Sequence, residues 1–205
     1  TNLIKSYMEN NNYMLEGNTK NVAALDSMVY SYVNDHGNKD VIKIEINYLM
    51  RNHILKTKRV NKHIDVLDRD ISMTILDKVE LYGAKIKALI ERGAARDLFD
   101  IANMIKANLI DDKDISLLRK CFIFYITVGN SKSKEYVKID YDKINKLKFI
   151  DVKRKLLPVL NNGMFYDLEN EKILVKEYLD KLLVLNKNEK EYIEEFKKGK
   201  YKPEL

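Results

Sequence analysis

The chain has 205 residues, 45% of them hydrophobic, so it is long and apolar enough to bury a substantial core, and wholesale disorder is excluded. Its 37 basic and 31 acidic residues leave a formal net charge of +6, which is compatible with a polyanionic partner but too small to establish one. A single cysteine, Cys121, excludes an intramolecular disulfide framework and suits a reducing compartment, so we expect a cytoplasmic protein.

The sequence also excludes several kinds of site. No hydrophobic run approaches the roughly 20 residues that a bilayer requires, so no membrane partner is expected. None of the seven glycines forms a phosphate-binding loop of the type G-x-x-x-x-G-K or G-x-G-x-x-G. The three histidines are too scattered to form a zinc site with the one cysteine.

The N-terminal part of the sequence predicts one helix and one β-hairpin. Residues 1–17 carry apolar residues at helical spacing and end in an Asn-rich segment, which indicates a short amphipathic helix. Residues 23–48 contain two runs rich in β-branched and aromatic residues, SMVYSYV and VIKIEINYL, separated by the turn-forming segment NDHGNKD. We therefore predict an antiparallel hairpin.

The second strand of this hairpin has one polar face. Hydrophobic residues alternate with polar ones along it: Ile42, Ile44, Ile46 and Tyr48 against Lys43, Glu45 and Asn47. A solvent-exposed edge strand explains this alternation without any chemistry, whereas a functional role would require Glu45 to face a cleft. The pattern leaves both interpretations open.

A basic segment follows the hairpin. Between Glu45 and Asp65 the sequence has no acidic residue, and the basic ones are Arg51, Lys56, Lys58, Arg59 and Lys62. We predict an irregular loop over residues 51–63, for which a solvated surface loop and a functional role are equally acceptable interpretations. A short strand with the sequence DISMTIL comes next.

Residues 79–105 predict two helices that concentrate charge. Lys85 and Arg92 are seven residues apart, almost two turns of a helix that starts near Lys78, so they project from roughly the same face. Gly93 is predicted to separate this helix from the next one. The result is a cationic edge on the first helix.

Two carboxylates follow on the second of these helices. Arg96, Asp97 and Asp100 fall within one turn, while the apolar residues face elsewhere, at Leu98, Ile101, Ala102, Ile105 and Leu109. An ordinary surface network of ion pairs explains this cluster as well as a functional site does, and spacing alone does not decide between them.

The remaining sequence is helical in pattern. Four segments carry apolar residues three and four apart: ISLLRKCFIFYI, INKLKFIDVKRKLLPVL, ENEKILVKEYLDKLLVL and EKEYIEEFKKG. We therefore predict an α+β fold class, with a β-containing region over residues 1–77 and a helical region over residues 78–205. No Pro-rich linker or low-complexity block separates two independently folding domains.

Three blocks of sequence carry a family resemblance. They are KIEINY at residues 43–48, KIKALIERGAARDLFDI at residues 85–101 and FKKGKYKPEL at residues 196–205. In order and spacing they resemble the AbiEii/AbiGii family of nucleotidyltransferase toxins. That family has a helix of the form E-K-L-x-A-L, a basic residue, R-D-L-Y-D-L, and a tail like G-x-Y-x-P-E-L; here Ala84 and Phe99 are small departures from it.

One motif of the family does not occur in this chain. The family carries a Gly-Ser or Gly-Thr turn followed by a strand bearing Asp-x-Asp, upstream of the hairpin. No Gly-Gly, Gly-Ser or Gly-Thr pair exists in the 205 residues, and the Asp-x-Asp pairs at 68/70, 112/114 and 140/142 resemble turn or helix-start acids. We therefore expect a fragment without its N-terminal lobe, with a partial polymerase-β-like sheet over residues 1–77 and no activity of its own.

The resemblance implies a Mg²⁺-dependent transfer of a nucleotide from an NTP. Glu45 is implied as the third metal-binding carboxylate, and Lys85 as the group that contacts the triphosphate and offsets charge on the leaving pyrophosphate. Asp97 is implied to orient Lys85. Arg92 and Arg96 are implied as phosphate ligands, and supporting roles are implied for Asp100 and Lys43.

The resemblance also implies partners. For some members of the family the acceptor is the 3′ end of tRNA, which would explain the basic residues of the 51–62 segment, and a cognate antitoxin belongs to the type IV, abortive-infection system. The alternative function is a non-catalytic helical module that binds RNA or a protein. Salt-sensitive RNA binding without any NTP requirement would be typical of that module.

Overall fold

The computed structural model describes residues 2–17, 20–22, 25–48, 53–129, 141–161 and 163–204. It contains small antiparallel sheets and a helical C-terminal part, so the predicted α+β class is confirmed. Contacts divide the chain into two compact units, residues 1–52 and 53–205. Within the described ranges no helix is long and apolar enough to cross a membrane.

The first unit is a helix packed on an antiparallel sheet. Its elements are α1 (Asn2–Asn10), β1 (Met14–Leu15), β2 (Lys20–Val22), β3 (Leu25–Val33) and β4 (Lys39–Asn47). β4 pairs with β3 along its whole length, while β1 and β2 pair with different parts of β3. The predicted amphipathic helix and hairpin are confirmed. Their shared core consists of Met8, Met28 and Tyr30.

β4 is less covered than its alternating sequence predicts. Ile44 and Ile46 are half-buried and pack against the Met28 and Tyr30 cluster, but Ile42 is exposed. In the part of the chain that the structure describes, β4 pairs only with β3 and is an edge strand, and the small cluster of Met8, Met28 and Tyr30 does not extend as far as Ile42.

The second unit begins with a hairpin where the sequence predicts an irregular loop. β5 (Lys58–Ile64) pairs antiparallel with β6 (Arg69–Ile75), so the prediction of a loop over residues 51–63 is wrong for residues 58–63. The segment KRVNKHI has little apolar alternation, and it becomes a strand because β6 supplies its hydrogen-bonding partner. The strand predicted for DISMTIL is confirmed as β6.

Helices make up the described part of the chain that follows the second hairpin. They are α2 (Lys78–Arg92), α3 (Ala95–Lys106), α4 (Ile115–Gly129), α5 (Asp142–Asn145), α6 (Phe149–Lys155), α7 (Leu168–Leu182) and α8 (Lys187–Lys197). The predicted INKLKFIDVKRKLLPVL helix is divided into α5, α6 and a 3₁₀ turn. Asp151 accepts a hydrogen bond from the Lys148 N–H at 3.1 Å, which starts a new helix, and Pro158 prevents its continuation.

The helices of the second unit enclose one continuous core. The fully buried residues include Ile86, Leu89, Leu98, Ile101, Leu118, Phe122, Val175 and Leu179. α2 and α4 approach each other closely at Gly83, where a Cβ would lie 2.6 Å from the Cβ of Cys121. This packing fixes α2 and therefore the charged face that it shares with α3.

The N-terminal end of α2 also holds the start of the second unit. Glu80 is fully buried, and its carboxylate accepts hydrogen bonds from the N–H groups of Ile54 at 2.7 Å and Leu55 at 2.9 Å and from the Tyr125 hydroxyl at 2.6 Å. Residues 53–77 therefore group with the helices. The compact units consequently divide earlier than the predicted regions 1–77 and 78–205.

Gly93 connects α2 to α3 and has two structural reasons to be glycine. Its φ is +58°, a left-handed conformation that suits a helix C-terminus, and its N–H bonds to the Leu89 carbonyl. A Cβ at this position would lie 2.6 Å from the Lys143 Cβ and 2.8 Å from the Lys143 carbonyl carbon. Any side chain at residue 93 would therefore overlap the backbone of α5.

We expect Gly93→Ala to lower the free energy of unfolding by about 2–4 kcal/mol, since left-handed strain and backbone overlap each cost about 1–2 kcal/mol or more. Gly199→Ala is the matched control. Gly199 has φ +77°, but among the described residues no atom lies within 4 Å of the place that its Cβ would take. Urea unfolding of both variants measures the difference. Equal losses in the two variants would contradict the role of the α5 contact.

Candidate active site

The first feature of the candidate site is an ion pair between α2 and α3. The Lys85 Nζ lies 2.5 Å from the Asp100 Oδ2, and the two side chains are 34% and 36% exposed. The lysine is therefore held in one direction by a charge-assisted hydrogen bond and still reaches solvent. A fixed cation of this kind can contact an anionic ligand.

A second ion pair lies near the junction of the same helices. The Arg92 Nε donates to the Asp97 Oδ2 at 2.5 Å, and the Arg92 Nη2 donates to the Asp97 Oδ1 at 2.6 Å. The Asp97 side chain is only 5% exposed, whereas that of Arg92 is 65% exposed. Hydrogen bonding to Asp97 raises the pKa of Arg92, so the guanidinium stays charged.

These pairs differ from the pairing that the sequence suggests. Asp97 is expected from the resemblance to orient Lys85, but the structure pairs Lys85 with Asp100 and gives Asp97 to Arg92. Asp97 and Asp100 lie three residues apart on one face of α3, so spacing alone allows either of them to pair with Lys85. The packing of α3 against α2 decides which of them does. Arg96 is exposed and donates to the Lys155 carbonyl at 2.6 Å.

Glu45 lies in the other compact unit. Its side chain projects from the polar face of β4, is 47% exposed, and forms an ion pair with Lys43 at 2.8 Å. Among the residues with a described position, no three His, Cys, Asp or Glu side chains come together to hold a metal ion. One carboxylate beside an ammonium group does not make a Mg²⁺ site, so the metal-binding role of Glu45 stays a prediction.

Three of the five predicted nucleic-acid-binding residues lie on β5, and they are distributed over both of its faces. Arg51 lies outside the described residues, and Lys56 and Lys62 are exposed. Lys58 forms an ion pair with Asp77 at 3.0 Å, and the Arg59 Nε donates to the Ser72 Oγ at 2.7 Å. Because side chains alternate along a strand, Lys58 and Lys62 share one face and Arg59 takes the other.

The C-terminal tail folds back onto α8. Glu195 lies near three lysines of the tail, and hydrogen bonds from Lys198 and Lys202 lower the pKa of the Glu195 carboxyl to about 2. The ring of Tyr201 meets that of Tyr192 edge to face at 6.4 Å. The tail that carries the third block of sequence is thus part of the fold; Leu205 lies outside the described residues.

The tail borders an apolar cavity of about 200 Å³. Cys121 is among its lining residues, but the thiol is buried, and burial raises the pKa of Cys121 to about 12. A thiol with this pKa is not a nucleophile at neutral pH. The cysteine therefore contributes to packing.

Comparison with protein families decides the membership of the chain. A family model described as nucleotidyl transferase AbiEii toxin, type IV TA system, matches residues 14–184, which is most of the chain. This chain belongs to the AbiEii nucleotidyltransferase toxin family. No curated protein and no solved structure gave a significant match to it.

The two ion pairs between α2 and α3 therefore lie in a member of a nucleotidyltransferase toxin family, within the matched residues. The matched residues include KIEINY and the whole α2–α3 pair, while the tail that follows α8 lies beyond the match. The type IV description of the family implies an antitoxin as partner. The resemblance found in the first two blocks of sequence is therefore confirmed at the level of the family.

Proposed function

We propose that this AbiEii-family protein transfers a nucleotide from an NTP to an RNA acceptor and that Lys85 contacts the triphosphate. The observation that carries the proposal is the Lys85–Asp100 pair, which fixes a partly exposed cation on α2 within the family match. Departure of pyrophosphate leaves negative charge on the leaving group, and a cation already in position stabilises that charge without rearrangement.

Arg92 is proposed as a second phosphate ligand. It follows Lys85 by seven residues, which corresponds to about 10 Å along a helix axis, and it is held by the buried carboxylate of Asp97. Its exposed guanidinium keeps at least one nitrogen, Nη1, outside the two hydrogen bonds to Asp97. Asp97 therefore acts through Arg92, and Asp100 acts through Lys85.

RNA is proposed as the acceptor because a polyanion suits the net charge of +6 and the exposed cations of β5. A tRNA 3′ end is the acceptor that we test first. We also propose that the protein is a cytoplasmic toxin whose activity is inhibited by a cognate antitoxin. Mg²⁺ is expected to accompany the NTP, although the described residues do not by themselves supply its ligands.

The test is labelling of RNA by the full-length protein. The protein is incubated with Mg²⁺, total tRNA and each α-³²P-labelled NTP in turn, and the RNA is separated on a denaturing gel. We expect one or more of the NTPs to label tRNA. Absence of label from every NTP, with tRNA and with other RNA, would contradict the proposed transfer.

A non-catalytic RNA-binding module makes a different prediction in the same experiment. Such a module would bind the RNA in a salt-sensitive way and would leave it unlabelled. A thermal shift that requires both NTP and Mg²⁺ supports the transferase instead. RNA binding without labelling and without an NTP-dependent shift would favour the module.

A further inference from the structure

A second basic site lies on the side of α3 where that helix begins. A cavity of about 220 Å³ is lined there by residues that include Arg92, Ala94, Ala95, Lys143, Lys146 and Lys155; we name it the basic cavity. Small-molecule sites in proteins usually exceed about 300 Å³. The basic cavity is therefore suited to a small charged group rather than to a whole nucleotide.

Some of the basic residues that line the basic cavity form an ion pair with a carboxylate, and others do not. Arg92 pairs with Asp97, and Lys146 lies 3.6 Å from Asp142. Lys143 and Lys155 have no carboxylate partner among the residues that the structure describes, and both are exposed. The two ammonium groups thus carry positive charge at the cavity that no ion pair with a described residue balances, and Lys143 donates one of its N–H groups to the Glu91 carbonyl.

Asp151 is the one carboxylate among the described lining residues, and the basic side chains of the lining outnumber it. Its Oδ2 accepts the hydrogen bond from the Lys148 N–H at the start of α6. The Lys143 Nζ donates to the Glu91 carbonyl at the end of α2, which joins α5 to α2 beside the cavity. The close contact of Gly93 with the backbone of Lys143 holds α5 in place.

The backbone contributes to the same cavity. α3 spans twelve residues, and its N-cap is Ala94, whose methyl side chain cannot accept a hydrogen bond from the first turn. The first N–H groups of a helix have no partner within the helix and carry partial positive charge. Ala94 and Ala95 line the cavity, so this donor-rich end and the two lysines face one space.

We propose that the basic cavity binds a phosphate group. The observations that support it are the two lysines without carboxylate partners in the described part of the chain, the limited volume of the cavity and the uncapped end of α3 that lines it. The phosphate could belong to an NTP or to the backbone of RNA, and both present the same oxygen acceptors. Binding of inorganic phosphate does not depend on nucleotide transfer, so this proposal and the proposed function can fail separately.

The first test is titration of the full-length protein with inorganic phosphate by calorimetry. We expect Lys155→Ala to weaken phosphate binding about five- to tenfold, as loss of one charge-assisted contact does. The matched control is Lys153→Ala, because Lys153 is an exposed lysine of α6 that does not line the cavity. Equal weakening in both variants, or none in Lys155→Ala, would overturn the proposal.

A second variant distinguishes loss of the phosphate site from loss of folding. In Ala94→Asp the new carboxylate can cap α3 and occupy the donors that the phosphate would use. We expect it to raise the melting temperature and to abolish phosphate binding at the same time. Unchanged phosphate binding in this variant would also overturn the proposal.

Competition identifies the source of the phosphate. Inorganic phosphate is added to the wild-type protein with either a labelled NTP or a labelled single-stranded RNA of about 20 nucleotides. Displacement of RNA that is lost in Lys155→Ala assigns the basic cavity to the RNA backbone, and displacement of NTP assigns it to the triphosphate. Displacement of neither ligand would overturn a role in nucleotide or RNA binding.

Discussion

Replacement of Lys85 by alanine is expected to lower the rate of nucleotide transfer about 100- to 1000-fold, which is the usual cost of removing one fixed group that stabilises transition-state charge. The Asp100 side chain in this ion pair is 36% exposed. Loss of the pair should therefore lower the free energy of unfolding by less than about 1 kcal/mol. Activity and stability therefore change by very different amounts. RNA labelling by the full-length protein and urea unfolding measure the two quantities.

Two further variants make the Lys85 prediction specific. Asp100→Asn keeps a hydrogen-bonding partner but removes its charge, so we expect a smaller loss of transfer, about tenfold. Lys78→Ala is the control, since Lys78 is an exposed lysine of the same helix with only a loose contact to Asp111 at 3.9 Å. Transfer at the wild-type rate in Lys85→Ala would show that the triphosphate contact has been assigned to the wrong residue.

Replacement of Arg92 by alanine is expected to lower the free energy of unfolding by about 2–3 kcal/mol. The variant leaves the buried Asp97 carboxylate without its two charge-assisted hydrogen bonds, and breaking a fully buried pair in this way costs about 3–5 kcal/mol. We expect less than that here because the arginine itself is largely exposed. Urea unfolding of the variant measures the change.

The control for Arg92 is Arg154→Ala, because Arg154 is an exposed arginine on α6. It should change the free energy of unfolding by no more than about 0.5 kcal/mol. The double variant Arg92→Ala/Asp97→Ala should recover part of the loss, since it leaves no buried charge unpaired. A loss in Arg92→Ala no larger than that in Arg154→Ala would contradict the structural role of this pair.

The sequence is sufficient for the elements that carry the candidate site. Apolar spacing predicts α2 and α3, and Gly93 is the expected break between them because glycine suits the left-handed end of a helix. The blocks around Lys85 and Glu45 also lead to the family that the comparison confirms. Local periodicity and short motifs are properties of neighbouring residues, so no folded structure is needed to read them.

The sequence is not sufficient for the partners of the charged residues. Asp97 and Asp100 are three residues apart on one face of α3, so spacing cannot decide which of them meets Lys85. The pattern of β5 predicts a loop because its charged residues lack the alternation that identifies a strand, and only pairing with β6 makes it one. Both outcomes depend on a neighbouring element that the local sequence does not contain.

By itself the sequence determined the fold class, most helices and strands, and the family, because each depends on local pattern. Only the tertiary structure decided the Lys85–Asp100 and Arg92–Asp97 pairs and the basic cavity. The cavity combines the α2–α3 junction at Arg92 and Ala94 with Lys143 and Lys155 of later helices. The packing of the helices brings these residues together. They are far apart along the chain, so the sequence alone does not predict that they are close in space.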